Sequence, residues 1–112
     1  MAAKNAFAAY CAELLSPLGQ ARVKPMFGGH GIYVDDVFIA IVMGETLYLK
    51  ADTATVPQFA AAGGTEFTYA AKGKASKSLG YWSAPAEAMD SPALMHPWAV
   101  LAMQAALRSR AR

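Results

Sequence analysis

Lys72, Lys74 and Lys77 lie close together, no acid falls between Glu66 and Glu87, and Tyr69, Tyr81 and Trp82 flank the cluster. Cations interleaved with aromatic rings can neutralise phosphates and stack bases, so this segment is the strongest candidate for nucleic-acid or partner contact. The same composition also describes a solvated turn whose lysines keep a strand edge from pairing with another chain. Three lysines neutralise few phosphates, and the net charge is only +2, so nucleic acid is not the favoured partner. Arg108, Arg110 and Arg112 would extend the basic patch if the last helix ended beside it.

Other residues that could do chemistry lack the company they need. Gly28-Gly29-His30-Gly31 invites a phosphate loop, but Ile32-Tyr33-Val34 follows it, a strand pattern and neither Gly-Lys-Ser/Thr nor a helix start. A tight connection or bulge is the expected role of these glycines. His30, His96 and Cys11 have no metal-ligand spacing. Ser76 and Ser78 flank Lys77 without a nucleophile elbow, and Asp35-Asp36 reads as turn chemistry. Cys11 falls on an apolar stripe, where a thiol behaves as a small inert hydrophobe. No catalytic, cofactor-binding or metal-ligating residue is expected.

A chain of 112 residues with 55% hydrophobic and 16% charged residues is one domain, residues 1–112, with ample core material. A single cysteine gives no disulfide framework, and no apolar run reaches the roughly eighteen residues of a membrane span. The short apolar run at Ala6 to Ala12 is interrupted by Glu13 and reads as helix, not as a signal core. A cytoplasmic protein with no membrane partner is expected.

The elements that must position these residues can be read from spacing. Phe7, Tyr10, Cys11, Leu14 and Leu15 fall at i, i+3, i+4, i+7 and i+8, predicting an amphipathic helix from near Asn5 to Leu15, stopped by Pro17 and Gly19. Arg22 to Phe27 predicts a strand, placed at an edge or bulge by Pro25. Ile32 to Val34 predicts a second, joined by an Asp35-Asp36 turn to Val37-Phe38-Ile39-Ala40-Ile41-Val42-Met43. That third run is apolar throughout and rich in β-branched residues, as in a central strand buried on both faces.

Gly44-Glu45 has the signature of a type II′ hairpin. It sets Met43 opposite Thr46, Val42 opposite Leu47, Ile41 opposite Tyr48 and Ala40 opposite Leu49. Simple alternation then puts Phe38, Ala40, Val42, Leu47 and Leu49 on one face and Ile39, Ile41 and Tyr48 on the other. The second set is a candidate two-fold dimer face if all helices pack on the first.

A second helix is predicted to start between Asp52 and Thr55, with Val56, Phe59, Ala60 and Gly63 inward and Gly63-Gly64 ending it. Phe67 to Lys72 and Lys77 to Trp82 predict a hairpin turning at Gly73. Ser91-Pro92 starts the last helix, with Leu94, Trp98, Leu101 and Ala105 on its inward face and Pro97 expected to kink or delay it. The order α-β-β-β-β-α-β-β-α gives an α+β fold: a largely antiparallel sheet flanked by helices.

Met26-Phe27-Gly28-Gly29-His30-Gly31-Ile32-Tyr33, Leu47-Tyr48-Leu49-Lys50, Phe67-Thr68-Tyr69, Lys72-Gly73-Lys74, Tyr81-Trp82 with Pro85, and Trp98 occur in an order and spacing that resembles the TfoX/Sxy N-terminal domain family of bacterial competence regulators. The resemblance runs from about Ala6 to Leu107. It implies a small α+β fold, similar to secretion-chaperone-like domains, and a non-enzymatic regulatory domain acting through a protein partner. It brings no active-site residues. The full-length regulators resemble this sequence only in their first half, so a stand-alone N-terminal domain is expected. Direct nucleic-acid binding through Lys72 to Lys77, with Tyr81 beside them, is the alternative.

Overall fold

The computed structural model describes residues 3–26, 28–69 and 77–110. Helix α1 (Ala3–Leu15) starts before Asn5, which therefore lies inside it and is not its cap. A single 3₁₀ turn, Ser16–Leu18, follows with Pro17 in it. Then come β1 (Ala21–Met26), β2 (Gly29–Val34), β3 (Val37–Met43) and β4 (Thr46–Lys50). Helix α2 (Val56–Ala61), β5 (Glu66–Tyr69), β6 (Lys77–Ser83), a second 3₁₀ turn (Ala86–Asp90) and α3 (Pro92–Arg110) complete the chain. Phe27, the Gly73 turn and residues 70–76 lie outside the described residues.

All pairings are antiparallel, in the order β1-β2-β3-β4-β6-β5. Pro25 sits in β1, an edge strand, where its missing N–H costs least. The β3–β4 register is the one the turn residues predict: Met43 with Thr46, Val42 with Leu47, Ile41 with Tyr48, Ala40 with Leu49. Gly44 has φ +62°, and Glu45 does not share the positive sign, as a II′ turn requires. Asp35 and Asp36 both have positive φ, 50° and 66°, giving a I′-like two-residue turn between Val34 and Val37. Aspartate tolerates that region better than most residues, and Asp35 Oδ1 also accepts the Gln20 N–H at 2.9 Å.

The faces of β3 differ from simple alternation in one respect. Tyr33 pairs with Phe38, but Ile32 pairs with Ala40, so Ile39 is an extra residue opposite the β2 ladder. A bulge of this kind re-aims the side chains on either side of it. Ile39 is therefore fully buried with Ala40 in the helix-covered core, and Phe38 is turned to the opposite face with Ile41. The expected dimer-face assignment of Ile39 is corrected accordingly, as is the placing of Phe38 with Ala40 and Val42.

The main core joins Ile32, Val34, Ile39, Val42, Leu47 and Leu49 of the sheet to Cys11, Leu14 and Leu15 of α1, Phe59 of α2 and Met95, Ala99 and Ala102 of α3. Tyr10 lies at the margin of α1 and not on its buried stripe, with its hydroxyl donating to the Met89 carbonyl. The buried seam of α3 keeps the expected Ala105, with Leu101 partly buried, but is otherwise rotated from the expected one. Met95, Ala99, Ala102, Ala105 and Ala106 face inward, Trp98 is half-buried against the Phe59 ring at 5.1 Å, and Leu94 is 48% exposed. The small alanines let α3 approach the sheet closely. A Leu94–Trp98 seam would hold the helix farther away. Ser91 caps α3 as expected, its hydroxyl accepting the Leu94 N–H at 3.1 Å, and the helix runs through Pro97 from Pro92 without delay. In α2, Phe59 is the buried residue, and Ala60 and Gly63 are exposed.

Candidate functional site: the open face of the sheet

The sheet face away from the helices holds a second, smaller apolar cluster. Ile41, Phe67 and Tyr81 are buried in it, and Phe38, Met43 and Tyr48 are half-buried around them. Among the described residues, no helical side chain belongs to this cluster. Strand alternation places its members: Ile41 opposes Tyr48 across β3–β4, Lys50 opposes Tyr81 across β4–β6, and the bulge delivers Phe38 beside Tyr33. Tyr33 and Phe38 stack at 5.0 Å, Phe38 meets Tyr81 at 5.7 Å, and Tyr48 meets Phe67 at 4.9 Å in tilted geometries favoured by ring quadrupoles.

Two glycines of β2 leave room for this layer. A Cβ on Gly31 would lie 2.6 Å from Met26 Cε and 2.8 Å from Phe38 Cε1, and one on Gly29 would lie 2.3 Å from the Val42 carbonyl oxygen. Close approach thus explains Gly29 and Gly31, which are strand residues with His30 between them paired to Val42, while Gly28, with φ +80°, serves the expected tight connection between β1 and β2.

Cations border the aromatic layer. Lys24 Nζ stands 5.2 Å from the Tyr33 ring centroid, and Lys50 Nζ stands 5.0 Å from that of Tyr81. Ammonium groups so placed are drawn to the ring faces while their stems cover apolar surface. Burial, with a lesser contribution from Tyr33, pushes the Tyr81 phenol up to about 12, so the ring stays neutral.

Where the C-terminal end of α3 meets this face there is a cleft of about 190 Å³, lined by Phe38, Lys50, Tyr81, Ala106, Ser109 and Arg110. The end of α3 is fastened by Arg108, whose Nε and Nη2 donate to the two Asp52 carboxylate oxygens at 2.7 and 3.0 Å. Asp52 Oδ1 also accepts the Ala54 and Thr55 N–H groups, which organises the turn into α2. The Arg108 hydrogen bond, aided by its charge and by these N–H groups, holds the Asp52 carboxyl below the usual range.

Of the sequence-selected contact residues, Tyr81 lies in this face and Lys77 opens β6, paired with Tyr69. Lys72 and Lys74 lie outside the described residues. Trp82, next to Tyr81, turns to the helix-covered core, so the two aromatics do not share a surface. Ile41 and Tyr48 share the open face, and Ile39 does not. Sequence reasoning missed Phe38, Lys24 and Lys50, whereas Arg110 was singled out as a possible extension of a basic patch and does reach this face. The available signal was the hairpin register, which places Lys50 on the Tyr48 face by alternation.

Among the described residues, no three His, Cys, Asp or Glu side chains are grouped to hold a metal ion. Cys11 is fully buried, and burial pushes its thiol up to about 12, far from the poise of a nucleophile at neutral pH. No described helix is long and apolar enough to cross a membrane. A larger groove of about 350 Å³ lies on the other side of the molecule between Phe7, Tyr10, Leu47, Ala84 and Met89, without a basic side chain in its lining.

The family model described as the TfoX N-terminal domain matches residues 13–106. No curated protein matches the chain.

Proposed function

The chain belongs to the TfoX N-terminal domain family, a regulatory and competence-regulator-like family that is not a known enzyme family, and from this we propose that it is a non-enzymatic regulator acting through a protein partner docked on the open face of its sheet. The observation that carries the reading is the aromatic layer outside the helix-covered core, in which Tyr33, Phe38, Met43 and Tyr48 remain half-exposed beside lysines. Half-covered rings can release further free energy on burial, at about 25 cal/mol per Å² of apolar surface. Tyrosine is also among the residue types that concentrate binding energy at interfaces. The regulated step is control of transcription in the cytoplasm, where a lone buried thiol needs no oxidising compartment.

Capture of partners by three proteins tests this: wild type, Tyr48→Glu on the open face, and Leu94→Glu on the exposed side of α3. The expected result is a partner held by wild type and Leu94→Glu and lost by a folded Tyr48→Glu. A partner that survives Tyr48→Glu, or that is lost with Leu94→Glu, contradicts the reading.

The second reading, direct binding of nucleic acid through Lys72, Lys74 and Lys77, is favoured by the absence of acids across residues 67–86. Replacing the three lysines with Ala should then weaken binding at every sequence and lower the salt slope by about three. A wild-type protein that binds neither duplex nor single-stranded DNA at low salt removes it.

A further inference from the structure

We infer that the partner segment is acidic, and that one of its carboxylates seats in the cleft formed by the Phe38 and Tyr81 rings, Lys50, Ser109 and Arg110. This rests on the reading of the open face as a protein-docking surface and adds the chemistry of what docks there.

Charge is the first support. The described ion pairs engage Arg22 with Asp36 and Arg108 with Asp52, and among the described residues Lys24, Lys50 and Arg110 have no acidic partner. The lining of the cleft brings together two cations, a hydroxyl and two aromatic rings with no carboxylate. Asp52 lines the adjoining cleft with Lys50 and Ser109 but is already engaged by Nε and Nη2 of Arg108. Arg108 therefore acts as a positioning residue, fixing the turn of α3 that carries Ser109 and Arg110 next to Lys50.

The size of the cleft and the state of its rings select among anionic occupants. About 190 Å³ falls below the roughly 300–1,000 Å³ of pockets that enclose whole small ligands, which suits a side chain or a chain end. Base stacking needs free ring faces. Tyr33 already has Phe38 stacked on it and Lys24 above it, and Tyr81 is buried beneath Lys50. A stacking base would have to displace those cations, whereas a carboxylate uses them as they stand. A second copy of the chain on a two-fold axis would bring the same basic face against itself, at a cost in like-charge contact.

Titration of ¹⁵N-labelled protein followed by NMR tests the inference. The probes are a short peptide alternating Glu with Leu and Phe, the same peptide with Gln for Glu, and a single-stranded oligo-dT. The expected result is that the Glu peptide shifts the amides of Phe38, Tyr48, Lys50, Tyr81 and Ser109. The Lys50→Met, Arg110→Gln double variant should bind it at least about tenfold more weakly, and added salt should weaken the wild-type complex. The variant's unperturbed spectrum elsewhere verifies its fold, and Lys24→Met, outside the lining of the cleft, should lose less.

Equal binding of the Gln peptide at the same residues overturns the acidic occupant and leaves the docking face standing. Oligo-dT shifting these residues more strongly than the Glu peptide overturns both in favour of nucleic acid. Shifts at Ile41 and Tyr48 on dilution alone, with a dimeric mass, assign the face to a second copy and overturn the inference. No shift on this face with any probe overturns both the inference and the reading beneath it.

Discussion

The two faces of the sheet are made by the same strands and have opposite chemistry. Toward the helices the strands present Ile32, Val34, Ile39, Val42, Leu47 and Leu49, aliphatic and almost wholly removed from water by α1 and α3. Away from them they present Tyr33, Phe38, Met43, Tyr48 and Tyr81, aromatic or polarisable, with lysines folded over two of the rings. Only three side chains of that second cluster are buried, Ile41, Phe67 and Tyr81, with half-buried Phe38, Met43 and Tyr48 packed against them. Aliphatic burial under helices specifies and stabilises the fold, while a half-wet aromatic layer keeps apolar surface available without the bare patch that drives aggregation.

The largest expected effect is on the helix side. Phe59 is fully buried, against Trp98, so Phe59→Ala should lower unfolding free energy by about 3–5 kcal/mol in a denaturant titration. On the open face, Ile41→Ala should cost about 2 kcal/mol, the low end for such a change, because its half-exposed neighbours can settle into the space. Tyr48→Ala should cost less than about 1 kcal/mol, its ring being half-exposed already. A cost for Tyr48→Ala equal to that of Phe59→Ala would erase the distinction between the faces.

A smaller effect concerns the margin where α3 meets the open face. The Asp52 carboxyl is lowered in the folded protein, first by its hydrogen bond from Arg108. Its contribution to stability is present above the unfolded value of about 3.9 and is lost as pH falls through the lower folded value. Asp52→Asn should therefore be less stable than wild type at neutral pH, and the difference in melting temperature should shrink as pH drops through that window. A difference unchanged by acid would mean that Arg108 does not hold the carboxylate in solution.

Smaller still in thermodynamic terms is the thiol. With Cys11 buried and its acidity suppressed, labelling of the native protein by a disulfide reagent should be slow at neutral pH and should track global opening. Rapid labelling would show that α1 leaves the core independently.

Much of the fold was legible because it is local. The Gly44-Glu45 turn fixed the β3–β4 register, Ser91-Pro92 marked the start of α3, and Pro25 marked an edge strand. The composition of the open face was legible only in part. Ile41 and Tyr48 follow from alternation, but the bulge at Ile39 exchanges it with Phe38. Alternation through one uninterrupted apolar run has no signal for an extra residue. The rotated seam of α3 arose similarly: large residues suggested Leu94 and Trp98, and close packing selected alanines. The pairing of Arg108 with Asp52, 56 residues apart, depends on tertiary placement that no local pattern encodes.

The central claim, that the open aromatic face is where a partner binds, is tested most directly by photo-crosslinking in the host cell. A benzophenone amino acid is placed at Tyr48 in one protein and at Leu94 in another, both verified as folded. The account predicts a discrete adduct with another protein from position 48, reduced when Lys50 and Arg110 are also replaced, and none from position 94. An adduct from position 94 with none from position 48, in cells where the protein is expressed and folded, would contradict it.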